Sequence, residues 1–122
     1  TLLSTLGAKR GVLAALPEIA GLSAKPQERV LALGQKAVAG HYGVTPADIC
    51  SKRRTQSVVR PRHVAMYLAK TMTTRSLPDI GRRFGGRDHS TVIHAVNKVT
   101  SLLEAGDPVG DDIDRLTREL QG

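Results

Sequence analysis

The sequence predicts an all-α protein built as one compact helical domain. Its 122 residues suffice for a single modest hydrophobic core. Aromatic residues are scarce, with two tyrosines, one phenylalanine and no tryptophan, so the core must consist mainly of leucine, valine, isoleucine and alanine. Such a mixture is typical of packed helices. Apolar residues also recur at helical spacing in several segments that follow favourable helix-start residues.

The first segment differs from the rest of the chain. Residues 1–25 contain a leucine-rich apolar stripe that two glycines weaken and Pro17 interrupts, so they predict an N-terminal helical extension or linker. Residues 26–122 are then the folded domain. We find no catalytic or ligand-binding pattern in the extension.

Two helices are expected next. Pro26 is well suited to a first helical turn, and apolar residues from Val30 to Val38 follow at helical spacing until Gly43. Thr45 is a favourable N-cap for a short second helix that reaches Ile49.

A basic loop is predicted from Ser51 to Arg60, with a central helix beginning at Pro61. The loop includes Lys52, Arg53 and Arg54, three adjacent cations whose mutual repulsion a phosphate backbone would relieve. A mobile, solvated loop is the alternative interpretation. The buried stripe of the central helix is expected to contain Val64, Ala65, Tyr67, Leu68 and Met72. Its outer surface is expected to carry Arg62, His63 and Lys70.

A helix-turn-helix is predicted from Ser76 onward. Ser76 is a favourable N-cap for a short helix that ends near Phe84, and Gly85-Gly86 supplies the freedom of a tight turn. Asp88 is a natural N-cap for the longer helix that follows. In this arrangement the second helix enters the major groove of DNA through its N-terminal residues.

The longer helix has two distinct faces on a helical wheel of about 100° per residue. The packing face is expected to contain Val92, Ala95, Val96, Val99 and Leu103. The outward face is expected to contain Arg87, Ser90, Thr91, His94 and Lys98, with His89 at the projecting tip. Gly106-Asp107-Pro108 should end this helix, and a short acidic helix from Asp111 to Leu120 should close the core.

The net charge of +7 is concentrated in one stretch. Between Lys52 and Lys98 there are eleven basic residues and two acidic ones, so this stretch carries +9 and the remainder −2. Such a basic block indicates a polyanionic partner, although a merely solvated basic face is the alternative.

Several other functions are not supported by the sequence. No stretch matches the phosphate-binding pattern Gly-x-x-x-x-Gly-Lys-Ser/Thr, so we expect no nucleotide site and no cofactor. His89 and His94 are about 140° apart around a helix, which is unsuitable for a shared metal ion. Ser90 follows His89 directly, but adjacent helical residues do not face each other, so we expect no enzyme.

The compartment is expected to be the cytoplasm, in association with the nucleoid. The chain has a single cysteine and lacks the basic and apolar regions of a secretory signal. No apolar run approaches the roughly 20 residues of a membrane span.

A series of motifs resembles a known family. These motifs are Ser51-Lys52-Arg53-Arg54, Arg60-Pro61-Arg62, Ser76-Leu77-Pro78-Asp79-Ile80-Gly81 and Phe84-Gly85-Gly86-Arg87-Asp88-His89-Ser90-Thr91-Val92. From about Pro26 to the C-terminus, the chain resembles the DNA-binding domain of DnaA, the bacterial chromosomal replication initiator. The resemblance implies a helix-turn-helix fold similar to that of the Trp repressor. It also implies binding to short asymmetric duplex sites at replication origins, which are called DnaA boxes.

The resemblance also implies roles for individual residues. Major-groove base contacts fall to Asp88, His89 and Ser90, and a minor-groove contact falls to Arg54. DNA backbone contacts or positioning of the reading helix fall to a larger set: Lys52, Arg53, Arg62, His63, Lys70, Leu77, Pro78, Arg87, Thr91, His94 and Lys98. The chain departs from the usual family pattern at Ser90, commonly threonine, and at Gln56 and His63, often arginine and glutamine.

Two classes of function are therefore open. The first is sequence-specific binding of duplex DNA, either as part of an initiator or as a stand-alone regulator. The second is a protein-interaction module that uses the same scaffold to bind a replication or regulatory protein and contacts DNA weakly.

Overall fold

The computed structural model describes residues 24–121, and these residues form six α-helices without a β-strand. The helices are α1 (Ala24–Tyr42), α2 (Pro46–Cys50), α3 (Gln56–Met72), α4 (Leu77–Arg83), α5 (His89–Glu104) and α6 (Val109–Gln121). The all-α prediction is confirmed. The predicted N-terminal extension lies outside the described residues, except for Ala24 and Lys25, which begin α1.

Helix α3 lies at the centre of the domain and packs most extensively against α5 and α1. Its buried side chains include Val64, Leu68 and Met72, as the apolar pattern predicted. Met66 is also fully buried, whereas Tyr67 lies only partly inside. The core is completed by Ile80 and Phe84 from the helix-turn-helix, by Val92, Ala95 and Val99 from α5, and by Ile113 and Leu116 from α6.

The predicted start of α3 at Pro61 is wrong, because the helix begins five residues earlier at Gln56. Pro61 lies inside the helix, where its missing N–H leaves the Ser57 carbonyl without the usual helical donor. The additional first turn buries Val58, which is 3% exposed, and Pro61 is itself buried. Packing of this first turn against the rest of the domain therefore outweighs the preference of Pro61 for the first position of a helix.

The other helix starts follow local capping signals. Thr45 and Asp48 form a reciprocal capping box at α2, and the Ser76 side chain accepts a hydrogen bond from the Asp79 N–H at α4. The last helix begins at Val109, two residues before the predicted Asp111.

Polar contacts join the outer helices to one another. The Tyr42 hydroxyl donates to Asp112 at 2.8 Å, which joins α1 to α6. Glu28 of α1 accepts hydrogen bonds from Arg83 at 2.9 and 2.6 Å, and Gln35 Nε2 donates to the Arg83 carbonyl at 2.9 Å. Helix α4 is thereby held against α1. Among residues 24–121, no helix is long and apolar enough to cross a membrane.

Candidate nucleic-acid interface

The turn between α4 and α5 contains two glycines with positive φ, Gly85 at 86° and Gly86 at 73°. Other residues rarely adopt this conformation without strain. A Cβ atom on Gly85 would also lie 2.2 Å from the Cys50 carbonyl oxygen. The turn therefore requires glycine at this position, where the end of α2 packs directly against it.

Asp88 organises the start of α5. Its carboxylate accepts a hydrogen bond from the His89 N–H at 2.9 Å and another from the Ser90 hydroxyl at 2.7 Å. The Ser90 hydrogen bond, together with the neighbouring His89, lowers the pKa of the Asp88 carboxyl below its ordinary value. The side chains of Asp88 and His89 remain 69% and 56% exposed. The helix tip thus presents an ionised acceptor beside an exposed imidazole.

The predicted division of α5 into two faces matches the structure except at Arg87, which points inward, and Val96 and Leu103 on the packing face are only half-buried. Val92, Ala95 and Val99 are buried, whereas the exposed set consists of Ser90, Thr91, His94 and Lys98. Ile93 is also 40% exposed. The helical wheel places Ile93 midway between the two faces, about 60° from both Ser90 and Val96, so the apolar pattern assigned it to neither.

The basic loop presents its cations differently. Lys52, Arg53 and Arg54 are all exposed. Arg53 contacts Asp48 at 3.4 Å, whereas Arg54 makes no hydrogen bond or ion pair with the part of the chain that the structure describes. The Arg54 side chain is therefore available to a partner.

Arg62 is buried, at 5% exposure, and the prediction that it lies on the outer surface of the central helix is wrong. Its guanidinium donates to the carbonyl oxygens of Ile49 at 2.7 Å and Ser51 at 2.9 Å. The carbonyls at the end of α2 lack helical donors and attract this cation inward. Burial lowers the pKa of the Arg62 guanidinium from its ordinary value.

Arg87 also points into the protein rather than lying on the outward face with Ser90 as expected. Its guanidinium donates to the carbonyl oxygens of Cys50, Ser51 and Phe84. The side chain is half-buried, and burial lowers its pKa. Arg87 therefore connects the glycine turn to the basic loop.

His63 lies against His94, with ring centroids 6.0 Å apart and the rings nearly perpendicular. His63 is half-buried instead of lying on the outer surface as predicted. Burial is the main cause that lowers the pKa of His63, and electrostatic repulsion from His94 is the second. The remaining predicted positions lie at the surface: Lys70 and Pro78 are exposed, and Leu77 is half-buried. Within residues 24–121, Lys70 makes no side-chain hydrogen bond or ion pair with another predicted site residue.

The structure thus contains three separate groups of predicted residues in contact: Asp88 with His89 and Ser90, His63 with His94, and the start of the basic loop with Arg62 and Arg87. Within the described part of the chain, no cluster of three histidine, cysteine or acidic side chains is arranged for a metal ion.

Comparison with known proteins agrees with this geometry. Residues 35–99 match the family model described as the bacterial dnaA protein helix-turn-helix. Over 87 residues, or 71% of this chain and 18% of the relative, the sequence is 59% identical to the chromosomal replication initiator protein DnaA of Rhodopseudomonas palustris strain HaA2. Over 88 residues, it is 57% identical to the protein of the same name from Caulobacter vibrioides, covering 72% and 18% of the two chains.

The fold has a matching relative among solved structures. A crystal structure described as a DNA replication initiation factor aligns with a TM-score of 0.68 and 30% identity, over 78% of this chain and 29% of that one. The present chain spans less than a fifth of the length of the curated relatives it matches. The family match covers more than half of the chain, and the chain belongs to the bacterial DnaA helix-turn-helix family.

Proposed function

We propose that this chain binds double-stranded DNA sequence-specifically at DnaA-box-like sites and acts in replication initiation or its regulation. The single observation that carries the proposal is that Arg87 joins two exposed elements. Its guanidinium, just before the α5 tip with His89 and Ser90, donates to the Cys50 and Ser51 carbonyls, where the loop that carries Arg54 begins. Family membership supports the same role. Binding of this kind requires no catalytic group.

Base reading is assigned to both elements. The ionised Asp88 carboxylate can accept a hydrogen bond from the amino group of cytosine or adenine in the major groove. His89 can make polar or apolar contacts beside it, and Ser90 retains its hydroxyl oxygen as an acceptor while donating to Asp88. Arg54, which has no partner within residues 24–121, is suited to the narrow and electronegative minor groove.

Backbone contacts are assigned to the exposed groups around these elements. Lys52, Arg53 and Lys70 supply positive charge, and Thr91, His94 and Lys98 lie along the exposed side of α5. Leu77 and Pro78, at the start of α4, are assigned to positioning of the reading helix, as family resemblance implies. Such contacts set the register of the protein on the duplex but do not select its sequence. In the cell, this activity would place the chain in the cytoplasm on the nucleoid.

The direct test measures binding to a duplex with a DnaA box and to a scrambled duplex, by fluorescence anisotropy at several salt concentrations. His89→Ala should reduce discrimination between the two duplexes by about 1–3 kcal/mol, the value of a good base contact. Lys70→Ala should weaken binding to both duplexes equally and reduce the salt slope by about 1. Arg118→Ala, an exposed change in α6, is the matched control.

Equal affinity of the unmodified protein for box and scrambled DNA would refute the proposal. It would favour the second candidate, a protein-interaction module. The observation behind that candidate is α6, which packs on α1, α5 and α3 and exposes Asp111, Arg115 and Glu119. A replication or regulatory protein whose binding survives both Arg54→Ala and His89→Ala would support it.

A further inference from the structure

The short helix α2 ends in a group of backbone carbonyls that point toward two arginines. In any α-helix the last four carbonyls lack intrahelical donors, and they carry the negative end of the helix dipole. In α2, the Asp48 carbonyl accepts hydrogen bonds from the Ser51 N–H at 3.1 Å and the Ser51 hydroxyl at 2.6 Å. The carbonyls of Ile49, Cys50 and Ser51 accept hydrogen bonds from guanidinium groups instead.

The two arginines approach these carbonyls from different elements. Arg62 comes from α3 and reaches Ile49 and Ser51, with a longer contact of 3.3 Å to Asp48. Arg87 comes from the turn before α5 and reaches Cys50, Ser51 and Phe84. Both guanidiniums donate to the Ser51 carbonyl, which begins the loop that carries Arg54.

This arrangement does not suit a phosphate contact. Arg62 is nearly inaccessible, and the Arg87 guanidinium already donates to three backbone carbonyls. Bringing two cations to one carbonyl is electrostatically unfavourable, since each raises the cost of the other's charge. A guanidinium fork can nevertheless fix the directions of several acceptors at once, which a lysine ammonium cannot.

We propose that Arg62 and Arg87 are positioning residues that hold loop 51–55 against the glycine turn, so that Arg54 and His89 reach the duplex in a fixed relative register. The inference rests on the proposed function and deepens it. Family resemblance allows Arg62 either a DNA backbone contact or positioning of the reading helix, and the inference assigns it instead the positioning of loop 51–55. The specificity of the domain then depends on two side chains that do not themselves touch DNA.

The DNA test uses Arg87→Lys and Arg62→Lys, which keep the charge but remove the fork. We expect the preference for box over scrambled DNA to fall by about tenfold, which is about the discrimination that one good base contact provides. Binding to scrambled DNA and the salt slope should change little. In combination with Arg54→Ala, the lysine variants should add little further loss, because the contact they align is already absent.

Other binding results would overturn the inference. A phosphate contact predicts that lysine largely preserves affinity, whereas Arg→Ala weakens binding to both duplexes and reduces the salt slope by about 1. Fully additive losses with Arg54→Ala would also overturn it. Arg118→Lys in α6 is the control for an arginine-to-lysine change at an exposed site.

A second measurement uses the free protein, so that the inference and the proposed function can fail separately. Heteronuclear 15N relaxation should show increased fast motion of the amides of residues 52–55 in Arg87→Lys, with α5 unchanged. An unchanged loop would overturn the inference. If the loop loosens but the unmodified protein does not discriminate between duplexes, loop holding is supported and the DNA function is refuted.

Thermal unfolding shows whether each lysine variant folds. If Arg87→Lys does not fold, Arg62→Lys is measured in the same way. Loss of folding in both lysine variants would overturn the positioning role, because the arginines would then serve the stability of the whole domain.

Discussion

Gly81 offers a strict test of the packing in the helix-turn-helix. It lies inside α4, where alanine would normally be preferred, and it is buried. A Cβ atom at this position would lie 2.1 Å from the Arg87 carbonyl oxygen and 3.1 Å from the Arg87 carbonyl carbon. The Arg87 N–H also donates to the Gly81 carbonyl at 2.8 Å, so the two backbone segments are already in direct contact.

Two opposing effects determine the stability of Gly81→Ala. Alanine in place of glycine stabilises a helix interior by about 0.8–1 kcal/mol. Overpacking costs about 1–3 kcal/mol, and loss of the hydrogen bond from Arg87 costs about 1 kcal/mol more. The clashing atoms belong to the backbone, so they cannot move aside as a flexible side chain could. We expect a net loss of about 1–3 kcal/mol in the free energy of unfolding.

Urea unfolding followed by far-UV circular dichroism measures this change. Gly40→Ala is the matched control, because Gly40 lies in helix α1, is exposed, and would have nothing within 4 Å of an added Cβ. This control should gain about 0.5–1 kcal/mol. A Gly81→Ala protein at least as stable as the unmodified protein would refute the close approach of α4 and Arg87.

Two further predictions concern the core and acid stability. Phe84→Ala should lower the free energy of unfolding by about 3–5 kcal/mol, because Phe84 is 1% exposed and its removal leaves a cavity; a loss below about 1 kcal/mol in urea unfolding would contradict this packing. The hydrogen bond from the Val109 N–H and, to a smaller extent, the Arg60 guanidinium lower the pKa of the Asp107 carboxyl. The stabilisation that the ionised carboxylate provides is therefore present above the unfolded pKa and is lost as pH falls through the lower folded pKa. Stability should therefore decline with acid below about pH 4, and less steeply in Asp107→Asn than in the exposed control Asp111→Asn; identical urea-midpoint profiles would exclude the Asp107 contribution.

Local signals in the sequence predicted most of the helix starts. Thr45, Ser76 and Asp88 cap the helices as expected, because capping depends on a side chain and the backbone within three residues of it. The start of α3 was mistaken because the local preference of Pro61 for a first turn competes with burial of Val58. That burial depends on contacts with other elements, which the local pattern does not contain.

The candidate interface was predictable to a similar extent. Helical periodicity separated the exposed and buried sides of α5 correctly, since both are set by one helix. The roles of Arg62 and Arg87 were not predictable from the same pattern. Their acceptors are backbone carbonyls, and the one that they share, at Ser51, is 11 and 36 residues away along the chain. Every residue has such a carbonyl, so no residue type in the sequence indicates which arginine turns inward.

The hydrogen bonds at Asp88 have a consequence for the entropy of recognition. In the base-reading role proposed for Asp88, both carboxylate oxygens are already held in the free protein, one by the His89 N–H and the other by the Ser90 hydroxyl. These hydrogen bonds restrict the rotation of this exposed side chain in the free protein, so binding would incur less of that entropy loss. Because each oxygen keeps a second lone pair, an amino group on a base can join the existing hydrogen bonds without displacing them.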